Sequence, residues 1–174
     1  MKIKNLLYKI SYISILSALI FICSAFIVIP YAGGAGYFNL SDALILFSTI
    51  YFGPVIGFFS GIIGASLGDF YGGYINCIPF TIVAKGLESI VCFFIYKMLY
   101  NKETLKNVMY YFSTFFMVLT YFIYYLVIYN GDFITSLTFS GFDLIQGTVS
   151  YLFSLALLFL FQKINLKTKF KYSN

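Results

Sequence analysis

The 174-residue chain is expected to be an all-α, polytopic membrane protein with six transmembrane helices and both termini cytoplasmic. Three observations lead there. Hydrophobic residues make up 61% of the sequence and charged residues 10%, at a mean hydropathy of +0.91, more apolar surface than a water-soluble core of this size can hide. The apolar residues gather in runs near the ~20 residues that a bilayer core demands. The lysines gather between those runs, on one set of alternate connections, as the positive-inside rule requires of cytoplasmic segments.

The first span is expected over 6–30, behind Lys2, Lys4 and Lys9. It is longer than a signal-peptide apolar region and no small-x-small cleavage site follows it, so it reads as a retained helix. The next apolar stretch, 40–69, is too long for one ordinary span. It is broken at Phe52-Gly53-Pro54, where glycine and proline end one helix and start another. Two helices result, 40–53 and 54–69, each reaching only ~21–24 Å at 1.5 Å per residue. The remaining spans are 79–99, 106–129 and 141–162, and all six form a single domain over 1–174. Dividing 40–69 is what puts every lysine-rich segment on one side: Lys97, Lys102 and Lys106 share a loop, and Lys163, Lys167, Lys169 and Lys171 end the chain. Asp42, Asp69, Asp132 and Asp143 fall at the opposite ends of spans, so the outer face carries carboxylates and no lysine; only Glu103 joins the lysine-rich loop.

Composition also removes functions. The chain has no histidine, arginine or tryptophan, and so lacks the commonest general base, the usual bidentate phosphate clamp and the usual transition-metal ligand. Cys23, Cys77 and Cys92 are too scattered for a zinc or redox motif and read as unpaired packing residues, with no metal site. The net charge of +5 is sorted by membrane side, so it marks topology and not a nucleic-acid surface.

One lysine breaks the sorting. Lys85 lies inside an apolar run with Glu88 one helical turn later. A charge at bilayer depth costs about 2.5–3.5 kcal/mol on insertion scales, so one retained there pairs or serves a purpose. Thr81, Lys85, Glu88 and Cys92 share one helical face, and Asp143, Gln146, Ser150 and Ser154 share another. Turned inward, the two faces form a polar cleft opening outward, with Lys85 roughly 9 Å below the outer boundary. The plainer reading is that Lys85 and Glu88 neutralise each other at i, i+3 as a structural pair. On the third helix Gly57, Gly61, Gly64 and Gly68 form a small-residue stripe suited to close helix packing. The glycine- and tyrosine-bearing connections 31–39, 71–76 and 130–132 are candidate lids, although tyrosines also form interfacial belts.

The run Gly36-Tyr37-Phe38-Asn39-Leu40-Ser41-Asp42, then Phe52-Gly53-Pro54, the glycine stripe, Leu67-Gly68-Asp69, Gly72-Gly73-Tyr74, and Thr81-x-x-x-Lys85-Gly86-x-Glu88 resembles the substrate-binding S components of energy-coupling factor (ECF) vitamin transporters. The nearest branch is the riboflavin-type one, which also includes subunits for hydroxymethylpyrimidine and pyridoxine. The specific likeness runs from Gly36 to Glu88; elsewhere it rests on length and six spans.

The resemblance implies a multi-pass subunit of a prokaryotic plasma membrane that binds a small vitamin near the outer surface. It also implies assembly with a transmembrane coupling (T) subunit and two ATPase subunits. An Ala-x-x-x-Ala docking motif on the first helix aligns here with Ser14 and Ala18, a departure that keeps small size. No Walker-type Gly-x-x-x-x-Gly-Lys-Ser/Thr occurs, so the chain needs no cofactor of its own and ATP is used by the partners. The vitamin is expected to enter from outside beneath connections 31–39 and 130–140, against Tyr37, Asn39, Asp42, Tyr74, Asn76, Thr81, Lys85, Glu88, Asp143 and Gln146. Without arginine, the cleft suits a small neutral or weakly cationic ring better than a polyanion, which leans slightly toward pyridoxine-like or pyrimidine vitamins, with riboflavin kept as a candidate. A stand-alone permease or channel is the alternative. An enzyme is not expected: Gly64-Ala65-Ser66-Leu67-Gly68 matches Gly-x-Ser-x-Gly but has no histidine beside it, leaving only a Ser66–Lys85 dyad or an Asp69–Asp143 pair.

Overall fold

A computed structural model describes residues 2–31, 36–99 and 101–163. Positions 32–35 of the first outer connection, and Lys167, Lys169 and Lys171, lie outside the described residues. Helix α1 spans Lys2–Ala25 and is followed by a β-hairpin, β1 Val28–Tyr31 and β2 Gly36–Asn39. Then come α2 Ser41–Tyr51, α3 Pro54–Gly72, α4 Ile78–Met98, the short α5 Glu103–Met109, α6 Ser113–Ile128 and α7 Phe133–Lys163. A 3₁₀ turn over Tyr110–Phe112 joins α5 to α6, so the two read as one broken rod. Six helices thus build the molecule, and five are long and apolar enough to cross a membrane.

The helices close into a ring in the order α1, α3, α4, α6, α7, α2, with α2 also reaching across to α4. Nine of the 11 residues of α2 are buried. Its start lies deep: Asp42, its second residue, meets Lys85, the eighth of α4, so α2 begins roughly 9 Å further from that end of the bundle. Its far end joins Phe47, Tyr51 and Phe52 to Cys92, Tyr110, Leu158 and Phe161, an apolar plug at the lysine-bearing ends of α4 and α7. The space above α2 is closed by the hairpin instead of by more helix.

The break between α2 and α3 falls where expected. Gly53 takes φ 105°, a left-handed value that a side chain disfavours, and Pro54 opens α3 at its first turn. The glycine stripe of α3 packs on two helices at once. A Cβ on Gly57 would lie 2.6 Å from Thr49 Cα on α2, and one on Gly64 would lie 2.6 Å from the Ser17 carbonyl oxygen on α1. Backbone approach this close is what small residues provide where lipid gives no hydrophobic drive to helix pairing.

Two expectations are corrected. The first helix stops at Ala25, not at 30, and residues 28–31 pair with 36–39 in antiparallel register, Val28 opposite Asn39 and Pro30 opposite Tyr37. A short apolar run fits strand and helix equally, and here the β-branched Val28-Ile29 favours the strand. The last helix begins at Phe133, not at 141. The Asp132 carboxylate accepts the backbone N–H groups of Ile134 (3.1 Å) and Thr135 (3.4 Å), capping α7. The hydroxyls that make 135–140 look like a loop bond back along the helix, Ser136 to the Asp132 carbonyl (2.7 Å) and Ser140 to that of Ser136 (2.9 Å).

Candidate functional site

At the hairpin end of the bundle lies a cavity of about 420 Å³, counting its opening to solvent. The hairpin contributes Tyr37 and Asn39, and the α3–α4 connection Tyr74 and Cys77. Asp69 comes from the last turns of α3, Tyr121, Tyr124 and Tyr125 from α6, and Asp143 and Gln146 from α7. The carboxylates of the wall are held by hydroxyl partners. Tyr37 donates its phenol to one oxygen of Asp69, and Thr81 Oγ1 donates to the other at 2.5 Å. Thr81 also lies 3.1 Å from the Tyr121 hydroxyl. Tyr125 donates to Asp143 Oδ1 over a long 3.4 Å. The Tyr37 and Tyr74 rings stand 4.8 Å apart at 37° and make an aromatic wall. Burial, and then the adjacent Asp69 carboxylate, hold the Tyr37 phenol well above the ordinary tyrosine range, so it serves as a hydrogen-bond donor.

Beneath the cavity runs a buried polar chain. Lys85 donates to Asp42 Oδ1 at 2.5 Å, and the two side chains are 2% and 0% exposed. Gln146 Nε2 donates to the other oxygen of Asp42 at 2.7 Å, and Gln146 Oε1 accepts the Asn39 backbone N–H at 3.1 Å. Asn39 Oδ1 in turn accepts the Ser41 N–H at 2.9 Å, where α2 begins. Lys85 Nζ also sits 5.3 Å from the centre of the Tyr121 ring, a cation–π arrangement. Five elements, α4, α2, α7, β2 and α6, are thereby tied to one ammonium group. A buried pair of this kind is stable only when the remaining lone pairs and protons are satisfied, as Gln146 does for Asp42.

The ten residues expected at the ligand therefore divide. Tyr37, Asn39, Tyr74, Asp143 and Gln146 line the cavity. Thr81 lies behind Asp69 and Tyr121. Asp42, Lys85 and Glu88 lie in the layer below and are buried. Asn76 is exposed and outside the wall. The structural partner of Lys85 is Asp42 and not Glu88: neither Glu88 oxygen meets hydrogen-bond geometry among the described residues, although Asp42 lies close enough to act on it. Both inward faces form as expected, with Thr81, Lys85, Glu88 and Cys92 buried on α4 and Asp143, Gln146, Ser150 and Ser154 on α7. Segment 130–140 is a turn and the first turns of α7, and none of it is among the wall residues.

Five wall residues are not among the expected ligand contacts: Asp69, Cys77, Tyr121, Tyr124 and Tyr125. The three tyrosines fall at i, i+3, i+4 on one helical face, a usable signal. It is masked in a chain with 17 tyrosines. The alternative enzymatic pairings do not form. Lys85 is engaged by Asp42, so no Ser66–Lys85 dyad is assembled, and Asp69 and Asp143 each hold hydroxyl partners of their own.

Comparison with known proteins follows the same lines. The profile of the family described as ECF-type riboflavin transporter, S component, matches residues 4–163. A solved structure described as "Structure and mechanism of the S component of a bacterial ECF transporter" superposes with a TM-score of 0.69 at 21% identity, covering 90% of this chain and 96% of that one. A Pyrococcus woesei protein described as an uncharacterized protein in the gap 3′ region is 38% identical over 63 residues, 36% of this chain and 42% of that protein.

Proposed function

Because the chain belongs to the family of ECF-type riboflavin transporter S components, a substrate-binding transporter subunit and not an enzyme, we propose that it captures a small aromatic vitamin from outside a prokaryotic plasma membrane. The candidates are a pyridoxine-like compound, hydroxymethylpyrimidine and riboflavin. Delivery then depends on a transmembrane coupling subunit and two ATPase subunits, which use the ATP.

The observation that carries this reading is the placement of the cavity. It opens at the hairpin end, between aromatic walls with a few fixed polar groups, which is how small-molecule sites are built. Below it stand the Lys85–Asp42 layer and then the apolar plug of Leu46, Phe47, Tyr110 and Leu158. A binding cup stopped by a charged layer and a packed floor favours capture over a stand-alone permease or channel. Tyr37, Asn39, Tyr74, Asp143 and Gln146 touch the ligand in this reading, and Thr81, Asp42, Lys85 and Glu88 hold those residues in place. Ser14 and Ala18 are exposed on α1, beside the α3-facing Ser17 and Ile20, and in this reading form the docking face for the coupling subunit.

Native mass spectrometry of the purified protein tests the proposal. The expected result is one small aromatic ligand bound without ATP and co-purification of a coupling subunit when its genes are co-expressed. A protein that holds no such ligand and isolates without a coupling subunit would sink the reading.

A further inference from the structure

Glu88 is the carboxyl that the Lys85–Asp42 tie leaves out. It is 0% exposed on the membrane-spanning helix α4, and neither of its oxygens has a hydrogen-bond partner among the described residues. The charged groups that act on it are Asp42 on α2 and Lys85 on α4, and Asp42 is also within hydrogen-bonding reach. The Cys92 thiol stands one turn further along α4, followed by Ser113 and the Tyr110 phenol. Past Asp143 the buried residues of α7 are all uncharged, and α6 sets the Tyr121 ring against Lys85.

The charges of this layer do not balance. Lys85 is committed to Asp42 at 2.5 Å, so an ionised Glu88 leaves one negative charge over, dehydrated and unpaired, where a buried group neutralises instead. The hydrogen bonds do not balance either. An ionised carboxylate only accepts, so two of them side by side have nothing to exchange, whereas one proton turns their contact into a charge-assisted hydrogen bond. Asp42 is preset as the acceptor, because Lys85 and Gln146 both donate to it and hold its charge.

We infer that Glu88 and Asp42 together form a binding site for a single proton, resident on Glu88 and donated to Asp42, separate from the cavity above. The proton completes the chain that runs from the cavity wall through Asn39, Gln146 and Asp42. It leaves one carboxylate against one ammonium.

Infrared spectroscopy of the purified full-length protein in detergent tests this by counting protonated carboxyls, whose C=O stretch lies apart from the carboxylate stretches. The spectrum of wild type minus that of Glu88→Gln is expected to show one such band. Glu88→Gln, a neutral stand-in for a neutral acid, is expected to melt within about 4 °C of wild type. Asp42→Asn gives the second reading: Glu88 becomes the counter-charge of Lys85, one turn away, so the same band is expected to vanish although Glu88 is still present. A band that persists in Asp42→Asn, or that is missing from wild type, overturns the inference, as does a Glu88→Gln protein that no longer folds. A wild-type melting temperature that rises in sodium or potassium over choline chloride at equal ionic strength, with no such rise in Glu88→Gln, assigns the balancing charge to a metal ion and overturns it too. All of these outcomes leave the transporter reading standing.

Discussion

Lys85 on α4 is bonded to Asp42, 43 residues earlier on α2, and not to Glu88 on its own helix. The only lysine placed away from the lysine-rich segments is thus a cross-bundle tie. Its ammonium fixes Asp42, Asp42 fixes Gln146, and Gln146 fixes the backbone of Asn39 in the cavity wall.

Lys85→Met is therefore expected to act on the fold before it acts on the ligand. Leaving Asp42 charged and unpaired at 0% exposure costs about 3–5 kcal/mol. Unfolding in mixed micelles should show that loss, and Lys85→Met combined with Asp42→Asn should recover more than half of it, because the neutral amide removes the unpaired charge and keeps an acceptor for Gln146. A double variant no more stable than the single one would show that the pair is not the source of the loss.

Tyr37 links the hairpin to α3 through Asp69, and its phenol is held protonated by burial and by that carboxylate. A phenol whose folded value is raised contributes stability that is intact below the ordinary tyrosine value of about 10 and is lost as pH rises above it. Wild-type protein should lose melting temperature above that pH more steeply than Tyr37→Phe. The same variant should speed amide hydrogen exchange in residues 36–39. Identical alkaline slopes in the two proteins would remove Tyr37 from the account.

The glycine stripe makes a steric prediction with a built-in control. Gly64→Ala drives a methyl to within 2.6 Å of the Ser17 carbonyl oxygen, and Gly57→Ala to within 2.6 Å of Thr49 Cα. Backbone must move in both cases, at a cost of about 1–3 kcal/mol. Gly141 on α7 faces open space, so Gly141→Ala should be neutral or stabilising by up to about 1 kcal/mol. Thermal unfolding of the three variants side by side checks the order.

Ser14→Leu with Ala18→Leu enlarges an exposed face of α1 that touches nothing in the cavity. Folding and ligand affinity should stay within error while co-purification of the coupling subunit is lost. Retained co-purification would move the docking face elsewhere.

How legible all this is in the sequence depends on the range of each interaction. Gly53 and Pro54 announce the α2–α3 break locally, through backbone chemistry that no tertiary contact overrides. The two inward polar faces are equally local, since Thr81, Lys85 and Glu88, or Asp143, Gln146 and Ser150, share a side by spacing alone. The Lys85–Asp42 bond is not local, and helical spacing points to Glu88 because only neighbours within a turn are visible to it. The hairpin is hidden because Val28-Ile29 extends an apolar run without changing its hydropathy. The start of α7 is hidden because Ser136 and Ser140 look like loop residues until their hydroxyls are seen bonded to helix carbonyls.

The shortness of α2 acts as a depth gauge. It has 11 residues where its neighbour α3 has 19, a shortfall of eight residues or ~12 Å along the helix axis. The hairpin, paired over four residues per strand, follows α1 and leads into the start of α2, and two of its residues, Tyr37 and Asn39, line the cavity. A guest whose long axis exceeds ~12 Å must lie flat or push the hairpin outward. Adding a helical turn to the start of α2 should shrink the largest guest admitted without changing any residue of the wall.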